Sequence, residues 1–221
     1  MQRVLEPEVM DGEEQALAYA RADFASVNAA FVARLRDTFP HLVQGRAVDL
    51  GCGPADILVR LCGALPGLRA WGLDASAPML ALGREAVAQA GLQGRVSLCE
   101  AWLPDLGGLS ERGFDAVISN SLLHHLPDPA ALWSSARALG RPGAALLVVD
   151  LLRPQTHDEA RAIVEAYSGA EPDVLKHDFY HSLLAAFRVD EVQAQLRAHG
   201  LDALQVEAIS DRHWAAWGRL P

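Results

Sequence analysis

The segment Ala47-Val48-Asp49-Leu50-Gly51-Cys52-Gly53-Pro54-Ala55-Asp56 leaves few folds open to the chain. Its apolar start reads as a buried strand, its two glycines as a tight turn, and Ile57 to Leu65 as a helix leaving that turn. Glycine is needed where a backbone turns sharply and approaches a ligand, because a side chain would fill the space. A strand, a glycine turn and a helix whose N-terminus meets the ligand open a unit of parallel sheet. The residue that gives the turn a chemical preference is Asp49, two positions before Gly51.

Two cofactors compete for such a turn. A dinucleotide sets an anionic pyrophosphate on it and calls for a third glycine three residues after the second. Asp56 stands there instead. Like charges about 4 Å apart repel by roughly 4 kcal/mol at an effective dielectric of about 20, so Asp49 and Asp56 disfavour a pyrophosphate. S-adenosylmethionine carries a sulfonium and an ammonium, and the same acids favour it. Further along, Ala70-Trp71-Gly72-Leu73 reads as a strand ending at Asp74. A carboxylate about 20 residues beyond the turn, at the end of the second strand, accepts both ribose hydroxyls. Arg95 to Cys99 reads as a third strand, after which Glu100 is placed to accept from an adenine amino group and Met79 and Trp102 to sandwich the ring.

The chain resembles the class I S-adenosylmethionine-dependent methyltransferases, of the small single-domain, Rossmann-like type that includes quinone-ring and natural-product enzymes. The resemblance is carried by Asp49-Leu50-Gly51-Cys52-Gly53, Leu73-Asp74-Ala75-Ser76 with Met79-Leu80, Phe114 to Asn120, Leu122-Leu123-His124-His125-Leu126-Pro127-Asp128-Pro129 and Arg141-Pro142-Gly143-Ala144. Two positions depart from the family: Ala55 where a third glycine is frequent, and Glu100 where an aspartate is frequent. The resemblance implies a doubly wound, mostly parallel seven-stranded α/β sheet with helices on both faces and an antiparallel terminal strand. It implies S-adenosylmethionine as donor, released as S-adenosylhomocysteine. Asn120 and Ser121 would hold its methionine end, and Tyr19 would swing over it. The expected cofactor set is Tyr19, Asp49, Gly51, Cys52, Gly53, Asp74, Ala75, Met79, Glu100, Ala101, Trp102, Asn120 and Ser121. Competing readings are an NAD(P)-dependent oxidoreductase and a noncatalytic protein that binds the same donor.

At 221 residues, 51% of them hydrophobic, the chain suits one domain with a substantial core. A formal charge of −9, with Lys176 its single lysine and its arginines scattered, argues against nucleic acid and for a small-molecule acceptor. No apolar run reaches the ~20 residues that cross a bilayer. The acids Glu6, Glu8, Asp11, Glu13 and Glu14 are unlike a signal peptide. A cytoplasmic monomer or homodimer with no membrane partner is therefore expected. Cys52, Cys62 and Cys99 form no paired spacing, so neither disulfides nor zinc are expected.

Helical spacing over Gly12 to Phe24 and Val27 to Phe39, closed by Pro40, predicts a helical cap over residues 1–40. Alternating strands and helices then predict a cofactor-binding core over 41–150, with a parallel sheet and the ligand at its carboxyl edge. Helices over Thr156 to Tyr167 and Asp173 to Phe187 predict an inserted lid over 151–188. A last helix, Asp190 to His199, and strands Leu204 to Ile209 and Trp214 to Trp217 fill 189–221.

Methyl transfer from a sulfonium has a good leaving group, and alignment alone supplies about 7 to 11 kcal/mol in favourable cases. A base is needed only where the nucleophile keeps its proton near pH 7. His124 and His125, just beyond the fourth strand, are the catalytic candidates, since imidazole titrates near pH 6.5. Adjacent histidines lack helical metal-ligand spacing, so no metal is expected. Asp150, Asp178, Tyr180 and His181 are expected to line the substrate pocket from the fifth strand and the lid.

Overall fold

Apolar runs bounded by turns become five parallel strands: β1 (Gln44–Leu50), β2 (Gly67–Asp74), β3 (Val96–Glu100), β4 (Phe114–Asn120) and β5 (Gly140–Leu151). Two more, β6 (Gln205–Ala208) and β7 (His213–Arg219), close the chain. The computed structural model describes residues 1–6, 25–106 and 108–221. Its seven strands lie in the order β3-β2-β1-β4-β5-β7-β6, with β7 antiparallel to both of its neighbours.

Strand order reverses between β1 and β4, and the crevice outside the carboxyl ends there is where doubly wound sheets bind ligands. Register aims the acids at that edge. Leu50 lies opposite Leu73, Asp74 opposite Glu100, and Asn120 opposite Val149.

Successive strand residues face opposite sides, and both sides are apolar. On one face Ala47, Ala116, Ile118 and Leu147 meet helices α1 (Ala25–Thr38), α2 (Asp56–Ala64) and α3 (Ala77–Gln89) through Leu35, Leu58, Leu61 and Leu80. On the other, Val48, Val117, Leu146 and Val148 meet α4 (Ala130–Leu139) and, beyond it, α7 (Val189–Ala198) through Trp133, Val192 and Leu196. Each buried valine, leucine or isoleucine among them stabilises the fold by about 1.5 to 3 kcal/mol. Trp133 is fully buried, and its indole N–H donates to Gln195 Oε1 at 2.9 Å, so no polar group is stranded with it.

Helices α5 (His157–Ser168) and α6 (Asp173–Ala185) stand between β5 and α7 and share a smaller apolar cluster of Leu151, Ala160, Val164, Leu183 and Leu184. Thr156 starts α5 by accepting from the Glu159 N–H. Ser76 does the same for α3 toward Met79.

Element ends differ from the sequence reading where pairing intervenes. β5 starts at Gly140 rather than Ala144 because Gly140 pairs with Phe114 ahead of a register shift. α6 stops at Ala185 because Ala186 turns extended and Phe187 bridges Leu152. The helix expected over Gly12 to Phe24 lies outside the described residues. Among the described residues no helix is long and apolar enough to cross a membrane.

Candidate active site

The glycine turn after β1 is pinned to β2. The N–H groups of Gly51 and Cys52 both donate to Leu73 O, at 2.8 and 3.0 Å. Gly51, Gly53 and Ala55 all take positive φ, at 73°, 51° and 63°. A Cβ on Gly51 would come within 2.8 Å of the Leu122 side chain, whereas one on Gly53 would meet none of the described residues within 4 Å. Gly51 is therefore required by packing as well as conformation. Gly53 leaves the cradle open above the turn. Ala55 adopts a left-handed conformation at the head of α2, which costs an L-residue about 1 to 2 kcal/mol and explains why glycine also suits that place.

Asp49 is 2% exposed, and its Oδ1 has no hydrogen-bond partner among the described residues. Burial pushes its carboxyl well above the usual range, and the neighbouring Asp74 adds to this. Asp74 accepts from Gly53 N at 2.8 Å and from Ser76 N at 2.9 Å, yet burial still raises it. Asn120 Oδ1 is likewise buried without a partner among the described residues. Ser121, next along, holds φ at 56° and donates its N–H to Val149 O at 2.9 Å. The rim thus presents the carboxylates of Asp49 and Asp74, the second opposing ionisation of the first, and the amide oxygen of Asn120. Cationic and hydroxyl donors satisfy these three side chains; a pyrophosphate would add charge of the wrong sign. These residues fit S-adenosylmethionine.

Beyond β4 a short 3₁₀ turn, Leu123–His125, carries the two histidines. His124 Nδ1 lies 2.5 Å from Asp150 Oδ1, both side chains almost fully buried. The same carboxylate accepts from the N–H groups of Leu123 at 2.6 Å and Leu151 at 2.6 Å. Burial opposes ionisation of Asp150, but His124 and these donors hold it below the ordinary range. The His125 ring is tilted 39° against that of His124, with centroids 4.0 Å apart. Its Nδ1 lies 3.2 Å from Glu6 Oε2. Burial first, and then His124, lower the His125 pKa, while Glu6 pulls it upward.

Residues 1–6 run across this turn as a strap. Arg3 donates from Nε to Ala185 O at 2.6 Å and from one terminal nitrogen to His124 O and Leu126 O, each at 3.0 Å. Its guanidinium stacks 4.0 Å from the centre of the Phe187 ring. Val4 N–H donates to Leu184 O at 3.1 Å.

The family described as "Methyltransferase domain" matches residues 48–146. An uncharacterized methyltransferase of Mycobacterium tuberculosis is 28% identical over 69% of this chain and 74% of its own. The ubiquinone biosynthesis O-methyltransferase of Methylococcus capsulatus is 30% identical over 76% of this chain and 68% of its own. The chain is a class I S-adenosylmethionine-dependent methyltransferase. The crystal structure of such an enzyme from Aquifex aeolicus superposes on this methyltransferase with a TM-score of 0.67, covering 92% of this chain and 97% of that one at 14% identity. That likeness concerns the fold.

The remaining expected site residues of the methyltransferase fall in three groups. Gly51, Cys52, Gly53, Asp74, Ala75, Asn120 and Ser121 gather at the turn and its neighbouring strand ends. Met79 and Ala101 are buried close by in sequence to that rim, while Glu100 and Trp102 are exposed, Trp102 to 52%. Burial pushes the Cys52 thiol well up, so it stays protonated and fills space. Asp150 lies beneath the histidine turn as its partner, at 1% exposure. On α6, Tyr180 meets His157 Nδ1 at 2.9 Å and the His181 ring centre lies 4.3 Å from that of His177; Asp178 is half-buried. Tyr19 lies outside the described residues.

Sequence reasoning missed Arg3 and Glu6. They reach the histidine turn across more than a hundred residues, and no local spacing marks such a meeting. Glu6, His124 and His125 offer ligand atoms within 4.8 Å of one another. Both Nδ1 atoms are already held by carboxylates of the protein, which gives the cluster an internal pairing of its own.

Proposed function

We propose that the enzyme methylates a small organic acceptor whose nucleophilic atom carries a proton at neutral pH, with His124 as general base and Asp150 as its anchor. The buried His124–Asp150 pair carries this reading. A carboxylate only accepts, so the proton of neutral His124 sits on Nδ1 and the lone pair on Nε2. Asp150 stabilises the imidazolium once Nε2 takes the acceptor's proton. Asp49, Asp74 and Asn120 bind and orient the donor, and the buried turn limits water. When bound, S-adenosylmethionine supplies an electrophilic methyl carbon with a neutral thioether as leaving group. His125 stands beside the base as a second imidazole.

A small acceptor is supported by the charge of −9 and by the relative that acts in ubiquinone biosynthesis. Helices α5 and α6 serve in this reading as a lid inserted over residues 151–188, with Asp178, Tyr180 and His181 on its acceptor side. The free cysteines suit a reducing cytoplasm.

A panel of pocket-sized phenols, carboxylic acids, amines and thiols with methyl-labelled donor tests the reading. For an acceptor found, His124→Ala lowers kcat by about 100-fold or more while S-adenosylhomocysteine affinity holds. Equal loss of turnover and affinity would make His124 structural instead.

A further inference from the structure

We infer that Glu6 is a positioning residue that holds His125 with its Nδ1 protonated and its Nε2 free, so that the strap of residues 1–6 completes the histidine pair from outside the sheet. The inference deepens the reading of the histidine turn and rests on it for its catalytic meaning, though not for its geometry.

The geometry repeats a device. His124 has a carboxylate on Nδ1 from β5, and His125 has one on Nδ1 from the strap. Glu6 is ionised, because the pairing with His125, together with His124 and Ser182, outweighs the burial that opposes it. An ionised carboxylate cannot donate, so the proton in the Glu6–His125 contact belongs to Nδ1. Left to itself, a half-buried imidazole has no reason to keep that tautomer; its partner selects it.

Glu6 is itself held in place. Ser182 Oγ donates to both of its oxygens, at 3.1 and 3.3 Å, from the last turn of α6. Arg3 fastens the strap to the carbonyls on each side of His125, those of His124 and Leu126. Arg3 also donates to Ala185 O, so three hydrogen bonds from this one side chain seat the strap against the turn and the end of α6. Among the described residues, the charged or titratable groups facing His125 are Glu6 from the strap, His124 from its own turn, Asp150 from β5 and Asp74 from β2. Arg3 flanks its backbone. Of these, Glu6 is the group that bonds the ring.

Side-chain nitrogen spectra of ¹⁵N-labelled protein, recorded across pH for wild type, Glu6→Gln and Glu6→Ala, test this, with His125→Asn used to assign the signals. In wild type, His125 shows the Nδ1–H tautomer. In Glu6→Gln the amide oxygen still accepts, so the tautomer stays while the titration midpoint falls by about 1 pH unit as the charge is lost. In Glu6→Ala both midpoint and tautomer change. S-adenosylhomocysteine affinity, measured by calorimetry, stays within about twofold in both variants, because Glu6 lies outside the cradle. An unchanged His125 midpoint and tautomer in Glu6→Ala would overturn the inference. Were His124→Ala to keep its turnover, the base assignment would fail while these spectra still decided the role of Glu6.

Discussion

At the scale of single residues, Gly51 and Gly53 look alike in sequence and differ in space. Both take positive φ, but only at Gly51 does an added Cβ strike a neighbour, Leu122. Gly51→Ala therefore combines left-handed strain with a clash and lowers stability by about 2 kcal/mol or more. Gly53→Ala carries the strain alone, about 1 kcal/mol, and puts a methyl into the open cradle. Urea denaturation and calorimetry with S-adenosylhomocysteine separate them: stability falls more for Gly51→Ala, and affinity falls more than stability for Gly53→Ala. The reverse pattern would contradict the roles given to them. Both glycines and the acids Asp49 and Asp74 are legible in sequence because one short turn carries their spacing. Glu6 is not, since its meeting with His125 depends on the whole chain having folded. Asp150 was legible as a residue at the carboxyl edge of β5 but not as the anchor of His124, because a strand pattern gives the edge and not the partner across it.

Among the elements, β7 carries a titratable group with a clear consequence. His213 opens that strand opposite Leu151, and its Nδ1 lies 3.3 Å from Ser210 Oγ. Burial, with Arg212 adding to it, pushes its pKa down to about 4. The unfolded chain protonates this imidazole near pH 6.5. As pH falls from there toward 4, the unfolded state therefore binds a proton that the folded state refuses, and stability declines. The loss is on the order of 2 kcal/mol. Urea denaturation at pH 7 and pH 4.5 should show a fall in wild type that is smaller by about this amount in His213→Gln. Identical falls would contradict it. The strands and helices themselves were readable because periods of two and of 3.6 residues alternate cleanly. Their ends were less so: Phe187 reads as the last turn of a helix and instead bridges Leu152, a choice made by the neighbouring strand.

For the molecule as a whole, the reversal of strand order at β1 and β4 sets one edge where acids from separate strands converge. Alternation of strands and helices foretells that edge, and the acids at successive strand ends foretell its charge. The surroundings of that edge are less legible, because the strap of residues 1–6 meets the histidine turn through long-range contacts that no periodicity encodes. The proposed donor site rests on that edge: Asp49 is buried, its Oδ1 has no partner among the described residues, and burial opposes its ionisation. Calorimetric titration of S-adenosylmethionine into wild type and Asp49→Asn at neutral pH, with NADH as the control ligand, tests this most directly. Wild type should bind S-adenosylmethionine and not NADH, and Asn should weaken the affinity by about tenfold or more, ~1.4 kcal/mol. Equal affinity in the two proteins, or binding of NADH in place of S-adenosylmethionine, would contradict it.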